Sequence, residues 1–154
     1  MSKLSLDEKY MKEALKQAKK AAVIDEVPIG CVIVHEGKII ARGYNRRNKE
    51  GSTLAHAEII AIKKASRKLN DWRLEECTMY VTLEPCPMCT GAIINARLSR
   101  VIFGAYDENM GACISRFNLA ESSFGYKGQI IGGYMEKECA DVLKEFFSSL
   151  RHEK

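Results

Sequence analysis

No apolar run in this sequence approaches the roughly 20 residues needed to cross a bilayer, so a transmembrane helix is excluded. The stretch from Met1 to Glu8 lacks a hydrophobic signal core, which predicts a cytoplasmic protein. Internal repeats, low-complexity tracts and linker-like segments are missing too, so the 154 residues are expected to form one domain spanning 1–154. Charge of a single sign is also scarce: 24 Lys and Arg against 20 Asp and Glu leave a net +4. That surplus permits a phosphate-bearing partner without identifying one. A composition of 46% hydrophobic and 29% charged residues excludes disordered and collagen-like chains. Cysteine is not scarce, with six in the chain. In a reducing compartment disulfides are rare, and cysteines there serve as buried small hydrophobes, metal ligands or catalysts.

Periodicity lays out the elements. Ser5 and Glu8 have capping-box spacing, and Met11, Ala14, Leu15, Ala18 and Ala22 follow at helical intervals with lysines on the opposite face. After a break at 25–28, residues 29–35 and 39–44 read as two strands of a β-hairpin joined by Glu36, Gly37 and Lys38. The polar stretch 46–52 reads as loop. Ile59, Ile60, Ile62, Ala65 and Leu69 carry a second helix, 79–83 a third strand, 88–97 a third helix and 101–105 a fourth strand. Residues 107–128 have no clean period and predict loop with a short helix, before a short fifth strand at Ile130 and Ile131. Cys139, Val142, Leu143, Phe146, Phe147 and Leu150 mark an amphipathic last helix, with the Phe pair assigned to the core. This order predicts an α/β fold with three layers, α/β/α, around a mixed five-stranded sheet with an N-terminal β-hairpin.

The chemistry-bearing residues sit where helices open. His56, Ala57 and Glu58 begin the second helix, and Pro85, Cys86, Pro87, Met88 and Cys89 begin the third. Cysteines three apart at a helix start share one face, so both thiolates can reach one ion. Pro87 suits the first helical position, where its missing N–H costs nothing, and the helix N-terminus favours thiolates. With the His56 imidazole they form a His/Cys/Cys set suited to zinc, and three protein ligands leave a fourth position for a reacting water. Glu58 is the candidate to carry a proton from that water to a ring nitrogen and a departing amine. The outcome is hydrolytic loss of ammonia from an amidine-like carbon. One geometric condition attaches. Residues two apart on a helix point about 200° apart, so His56 and Glu58 share a site only if His56 lies in an irregular first turn. A structural zinc half-site or a redox pair is the competing reading of Cys-x-x-Cys, but no second paired spacing supplies a fourth ligand. With Glu58 and Pro85 the pattern becomes the H-x-E…P-C-x-x-C signature of zinc nucleobase deaminases.

From the first helix to about Asp107, and again in the last helix, the sequence resembles the bacterial tRNA-specific adenosine deaminases of the cytidine-deaminase-like superfamily. The segments that carry the likeness are Glu26 to Gly30, Asn45, Ala55 to Glu58, Tyr80 to Cys89 and Phe103 to Asp107. The resemblance implies a cytidine-deaminase-like fold, a homodimer, one Zn²⁺ per subunit, and conversion of wobble adenosine in the tRNA anticodon arm to inosine. It implies metal ligation by His56, Cys86 and Cys89 and proton shuttling by Glu58. It also implies that Asn45 holds the base or ribose, that Val27 and Pro28 line the pocket, and that Asp107 contacts the nucleotide backbone. Each of these last residues has a plainer local reading. Asn45 can close the second strand as a turn residue, Val27 and Pro28 can form a helix-to-strand bend, and Asp107 can be a turn or N-cap residue.

Two regions depart from the family pattern. An Asn-His pair commonly follows a Phe after the fourth strand, whereas here Phe124 precedes Gly125 and Tyr126. An arginine and a basic tail commonly follow the C-terminal Phe pair, whereas here Ser148, Ser149 and Leu150 do. These departures keep open deamination of a free nucleobase, nucleoside or analogue with no RNA requirement. Arg46, Arg47 and Lys49 are expected near the pocket mouth beside Asn45, and Lys63, Lys64, Arg67 and Lys68 on a solvated helix face. Cys31 and Cys139 read as core, and Cys77 and Cys113 carry no assignment, with Cys113 possible near the site.

Overall fold

Alternation along the strands decides which helix covers which face of the sheet. The computed structural model, which describes residues 3–121 and 125–152, with side chains over 6–121 and 125–150, contains β1 (Gly30–His35), β2 (Lys38–Tyr44), β3 (Cys77–Leu83), β4 (Arg100–Ala105) and β5 (Gln129–Ile131). Its helices are α1 (Lys3–Val23), α2 (Arg47–Glu50), α3 (Ala57–Leu69), α4 (Pro87–Ala96) and α5 (Glu136–His152). The sheet order is β2-β1-β3-β4-β5; β1 runs antiparallel to β2 and β3, and β3, β4 and β5 run parallel. The mixed sheet with its leading hairpin is therefore as expected.

Cys31 and Ile33 of β1, Met79 and Val81 of β3, and Val101 and Phe103 of β4 join Ala57, Ala61 and Ala65 of α3 and Ile93 of α4 in one buried layer. Val32, Val34, Tyr80 and Ile102 alternate to the other face, against Tyr10, Met11 and Ala14 of α1 and Cys139 of α5. Cys31, Cys77 and Cys139 are thus core residues, Cys77 opening β3 two residues before the predicted start. Beneath α1, the Tyr80 hydroxyl donates to Asp7 Oδ1 (2.6 Å) and the Arg100 guanidinium donates to both Asp7 oxygens (3.1 and 2.9 Å), tying α1 to the two central strands.

Two close approaches set the helix positions. A Cβ on Gly43 of β2 would lie 2.5 Å from the Ala57 carbonyl oxygen and 3.1 Å from Ala61 N, so α3 rests directly on the β2 backbone. Gly104 of β4 lies in the same way under Cys139 of α5.

The structure corrects two local expectations. Helix α1 already starts at Lys3, so Ser5 lies within it and not at its cap. The stretch 46–52, read as loop, contains α2. Its polar composition hides the cause: the buried Glu26 carboxylate accepts the N–H groups of Asn48 (3.2 Å) and Lys49 (2.7 Å), supplying from a distant segment the partners that a helix N-terminus leaves open. Gly51, left-handed at φ 59°, then closes the turn. Among its described residues the segment 107–128 holds a 3₁₀ turn, Leu119–Glu121, as expected of loop with a short helix, and Phe124 lies outside the described residues. Among the described residues no helix is long and apolar enough to cross a membrane.

Candidate active site

The ends of β3 and β4 open into a cavity of about 670 Å³, at the carboxyl edge where parallel α/β sheets place their ligand crevices. Val27, Ile29 and Asn45 form one side, Leu83, Tyr106 and Asp107 another, and His56, Glu58 and Cys86 the floor. Helices α3 and α4 both point their N-termini at this floor. His56 is the N-cap of α3, with extended backbone (φ −82°, ψ 150°), and Cys86 is the N-cap of α4 (φ −74°, ψ 175°) followed by Pro87. The extended conformation at His56 meets the geometric condition: its side chain leaves the helix before the regular turn begins, and Glu58 two residues on reaches the same cavity. Neither N-cap side chain bonds to its own helix. Both are turned toward each other instead.

The His56 Nδ1 atom lies 3.7 Å from Cys86 Sγ and 3.5 Å from Cys89 Sγ. These three ligand atoms lie within 4.8 Å of one another, close enough for one ion. Cys86 is held as a thiolate, pushed down to about 4 chiefly by the bond it accepts from Cys89 and, against its burial, by His56. Cys89 is raised as the donor of that bond, and His56 is raised mainly by Cys86. A shared proton where three soft or borderline donors converge marks a set that a thiophilic dication can bind by displacing it. Glu58, only 4% exposed, is pushed up to about 7, first by burial and also by the Cys86 thiolate.

The residues singled out for substrate contact are placed unevenly. Asn45 lines the cavity but is buried; its Nδ2 donates to the Val27 carbonyl (3.3 Å) and its Oδ1 accepts the Arg47 N–H (3.1 Å). Val27 lines the wall, whereas Pro28 is buried and is not among the lining residues. Asp107 lines the far side, and its Oδ1 accepts the N–H groups of Asn109 and Met110 at 3.1 Å each. Of the basic loop residues, Arg47 reaches the cavity, while Arg46 is taken up by Glu50 (2.9 Å) and the Tyr44 hydroxyl (2.8 Å). Lys63, Lys64, Arg67 and Lys68 are exposed on α3, as expected of a solvated face.

Several residues at the site carry no signal of their role in the sequence. Glu136, Leu143 and Phe147 bring α5 to the cavity. Phe147 is 43% exposed, which corrects its assignment to the core; its ring packs edge-on to Phe146 with centroids 5.4 Å apart. Amphipathic spacing cannot separate a core ring from one at a cavity rim. Glu26 and Glu84 are buried carboxylates that hold neighbouring loops by backbone N–H groups. Their one signal is a charged side chain beside an apolar strand. Cys113 is buried beneath α4 with its Sγ 3.5 Å from Thr90 Oγ1, close to the floor but outside the ligand cluster.

A family model described as MafB19-like deaminase matches residues 6–151. The chain is similar to a tRNA-specific adenosine deaminase of Bacillus subtilis, 47% identical over 152 residues that cover 98% of this chain and 94% of that one. A solved structure from work on A-to-I editing by tRNA:A34 deaminases at the wobble position superposes with a TM-score of 0.83 at 40% identity, covering 87% of this chain and 98% of that one. A guanine deaminase from Bacillus subtilis superposes with a TM-score of 0.64 at 34% identity, covering 82% and 73%.

Proposed function

The chain belongs to the MafB19-like deaminases and, within them, to the tRNA-specific adenosine deaminases, and from that premise we propose that it deaminates the wobble adenosine of a tRNA anticodon arm to inosine. The observation that carries this reading is the convergence of His56, Cys86 and Cys89 at a cavity whose floor His56 and Cys86 share with the buried Glu58.

His56, Cys86 and Cys89 are the residues to hold one Zn²⁺, a fit that rests on their donor chemistry and on N-cap side chains left free of their own helices. Zinc bound there supplies an acidified, polarised water. Glu58 takes a proton from the attacking water and delivers it to adenine N1, then takes the proton of the new C6 hydroxyl and passes it to the amine, so that the C6 carbonyl forms as the C–N bond breaks and ammonia departs. A carboxylate raised to about 7 both accepts and returns a proton near neutral pH. Asn45, Val27 and the bend at Pro28 shape the wall that receives the base, and Asp107 stands where the nucleotide backbone passes. Arg47 at the mouth suits a phosphate, and the Phe147 ring suits a flanking base that stacks on it. A loop adenosine presents little stacking to disrupt, which suits reading of the base at the cavity rim.

The active species is a homodimer of single-domain chains in the cytoplasm, where tRNA is found. Helix α4 supports this: Met88, Ala92 and Ile94 are only half-buried on a helix with little polar face, and Trp72 and Phe117 are exposed.

The test is an anticodon stem–loop with adenosine at the wobble position, incubated with zinc-loaded protein and sequenced for inosine. Inosine from the wild type and none from Glu58→Ala is expected. Ammonia released from free bases or nucleosides, with the stem–loop untouched, would instead establish a small-molecule deaminase of the guanine deaminase kind.

A further inference from the structure

Glu84 follows β3 directly, and its buried carboxylate has no part in the chemistry above. Its Oε1 accepts the Asp107 N–H (3.1 Å) and the Ser115 hydroxyl. Its Oε2 accepts the N–H groups of Cys113 (3.2 Å), Ile114 (2.7 Å) and Ser115 (2.9 Å). Gly111 lies against the same carboxylate, where a Cβ would collide with it. The Ala112 N–H donates to the Pro85 carbonyl (2.9 Å), continuing the wrap. Residues 107–115 therefore fold around one negative charge. The segment so held includes Asp107, Glu108 and Asn109, which form a wall of the cavity.

We propose that Glu84 is a positioning residue: its charge keeps the 107–115 segment folded so that the substrate meets a finished wall, and it sets substrate affinity without handling the proton. Without the anchor, ordering of the segment would have to accompany binding, and its cost would be taken from affinity. The effect on affinity rests on the proposed RNA substrate, whereas the segment's order can be read without any substrate.

The geometry gives the test a residue-level signature. In Glu84→Gln the amide keeps its oxygen for the three N–H groups at 113–115 and must turn its NH₂ toward Asp107 N–H and the Ser115 hydroxyl. The hydroxyl can accept from it. The Asp107 N–H cannot. Amide hydrogen exchange should therefore quicken at Asp107 by about tenfold or more, with less change at 113–115, since one charge-assisted bond is lost. In Glu84→Ala both segments should lose protection. KM for the stem–loop should rise about tenfold in Glu84→Gln and more in Glu84→Ala, with kcat and bound zinc within about twofold of wild type. Faster exchange with an unmoved KM would overturn the proposal by making Glu84 a stability residue only. A fall in kcat with lost zinc and an unmoved KM would overturn it too, placing the effect on Cys86. If Glu84→Ala does not fold, Glu84→Gln decides alone. If the wild type acts on a free base and not on the stem–loop, the RNA reading fails by itself. KM is then compared on that base, where a rise supports the positioning role and an unmoved value overturns it.

Discussion

Replacing Gly43 with alanine tests whether α3 is held in register by backbone contact with β2. The added Cβ would lie 2.5 Å from the Ala57 carbonyl oxygen, 3.1 Å from Ala61 N and 3.2 Å from Ile60 Cβ. Ordinary contact begins near 3.4 Å, so the first turn of α3 must retreat by about 0.9 Å at Ala57. No flexible side chain is available to absorb this, because the nearest obstacle is backbone. Overpacking of this kind costs about 1–3 kcal/mol, which for a chain of this length lowers Tm by about 2–12 °C. The larger effect falls on activity. Ala57 lies between His56 and Glu58, so the retreat carries both side chains away from Cys86 and Cys89, which α4 holds independently. A displacement approaching 1 Å at reacting groups costs about 10²-fold in rate. The assay is deamination of the stem–loop, alongside zinc content and a thermal melt. A variant with wild-type kcat and a lowered Tm would refute the claim that Gly43 positions the site. A variant unchanged in both would refute the packing argument altogether.

Glu58→Gln should keep fold and zinc while deamination falls by about 10²–10⁴-fold, measured as inosine formed per bound metal. Asp7→Ala should leave the half-buried Arg100, 2.9 Å from it, without its counter-charge; urea unfolding should show a loss of about 1–3 kcal/mol, between an exposed and a fully buried pair, while kcat stays unchanged. In metal-free protein at about pH 6, iodoacetamide should modify Cys86 first, because its thiol is pushed down to about 4 while burial raises Cys31, Cys77, Cys113 and Cys139. Zinc should protect Cys86, and mass spectrometry of the labelled peptides reads both outcomes. Phe147→Ala should raise KM for the stem–loop by about tenfold, as expected for one lost stacking contact, and leave KM for any free nucleoside it accepts unmoved.

Much of the fold is legible in the sequence because most elements bury one face. Periods of two and 3.6 residues place every strand and the four long helices to within a few residues, and the hairpin makes the sheet mixed. The floor of the site is legible for a related reason. His56 with Glu58, and Cys86 with Cys89, stand at short, fixed spacings beside helix starts, so local geometry already aims each pair, and their residue types mark the two pairs as belonging together although 30 residues separate His56 from Cys86. Legibility ends where the partner is far away in sequence and no motif marks it. Helix α2 depends on Glu26, some 22 residues upstream, and the 107–115 segment depends on Glu84, 23 to 31 residues upstream.

The sequence by itself determined the α/β class and the two local pairs of the site, His56 with Glu58 and Cys86 with Cys89, since these follow from residue type, periodicity and spacing within one turn. The tertiary structure decided the rest. It placed His56 outside the regular helix, brought α5 and the Phe147 ring to the rim, and turned two acidic residues of the strand flanks into anchors for the cavity walls. Those outcomes depend on desolvation and on backbone N–H groups supplied by remote segments. No local pattern encodes which loop a buried carboxylate will gather.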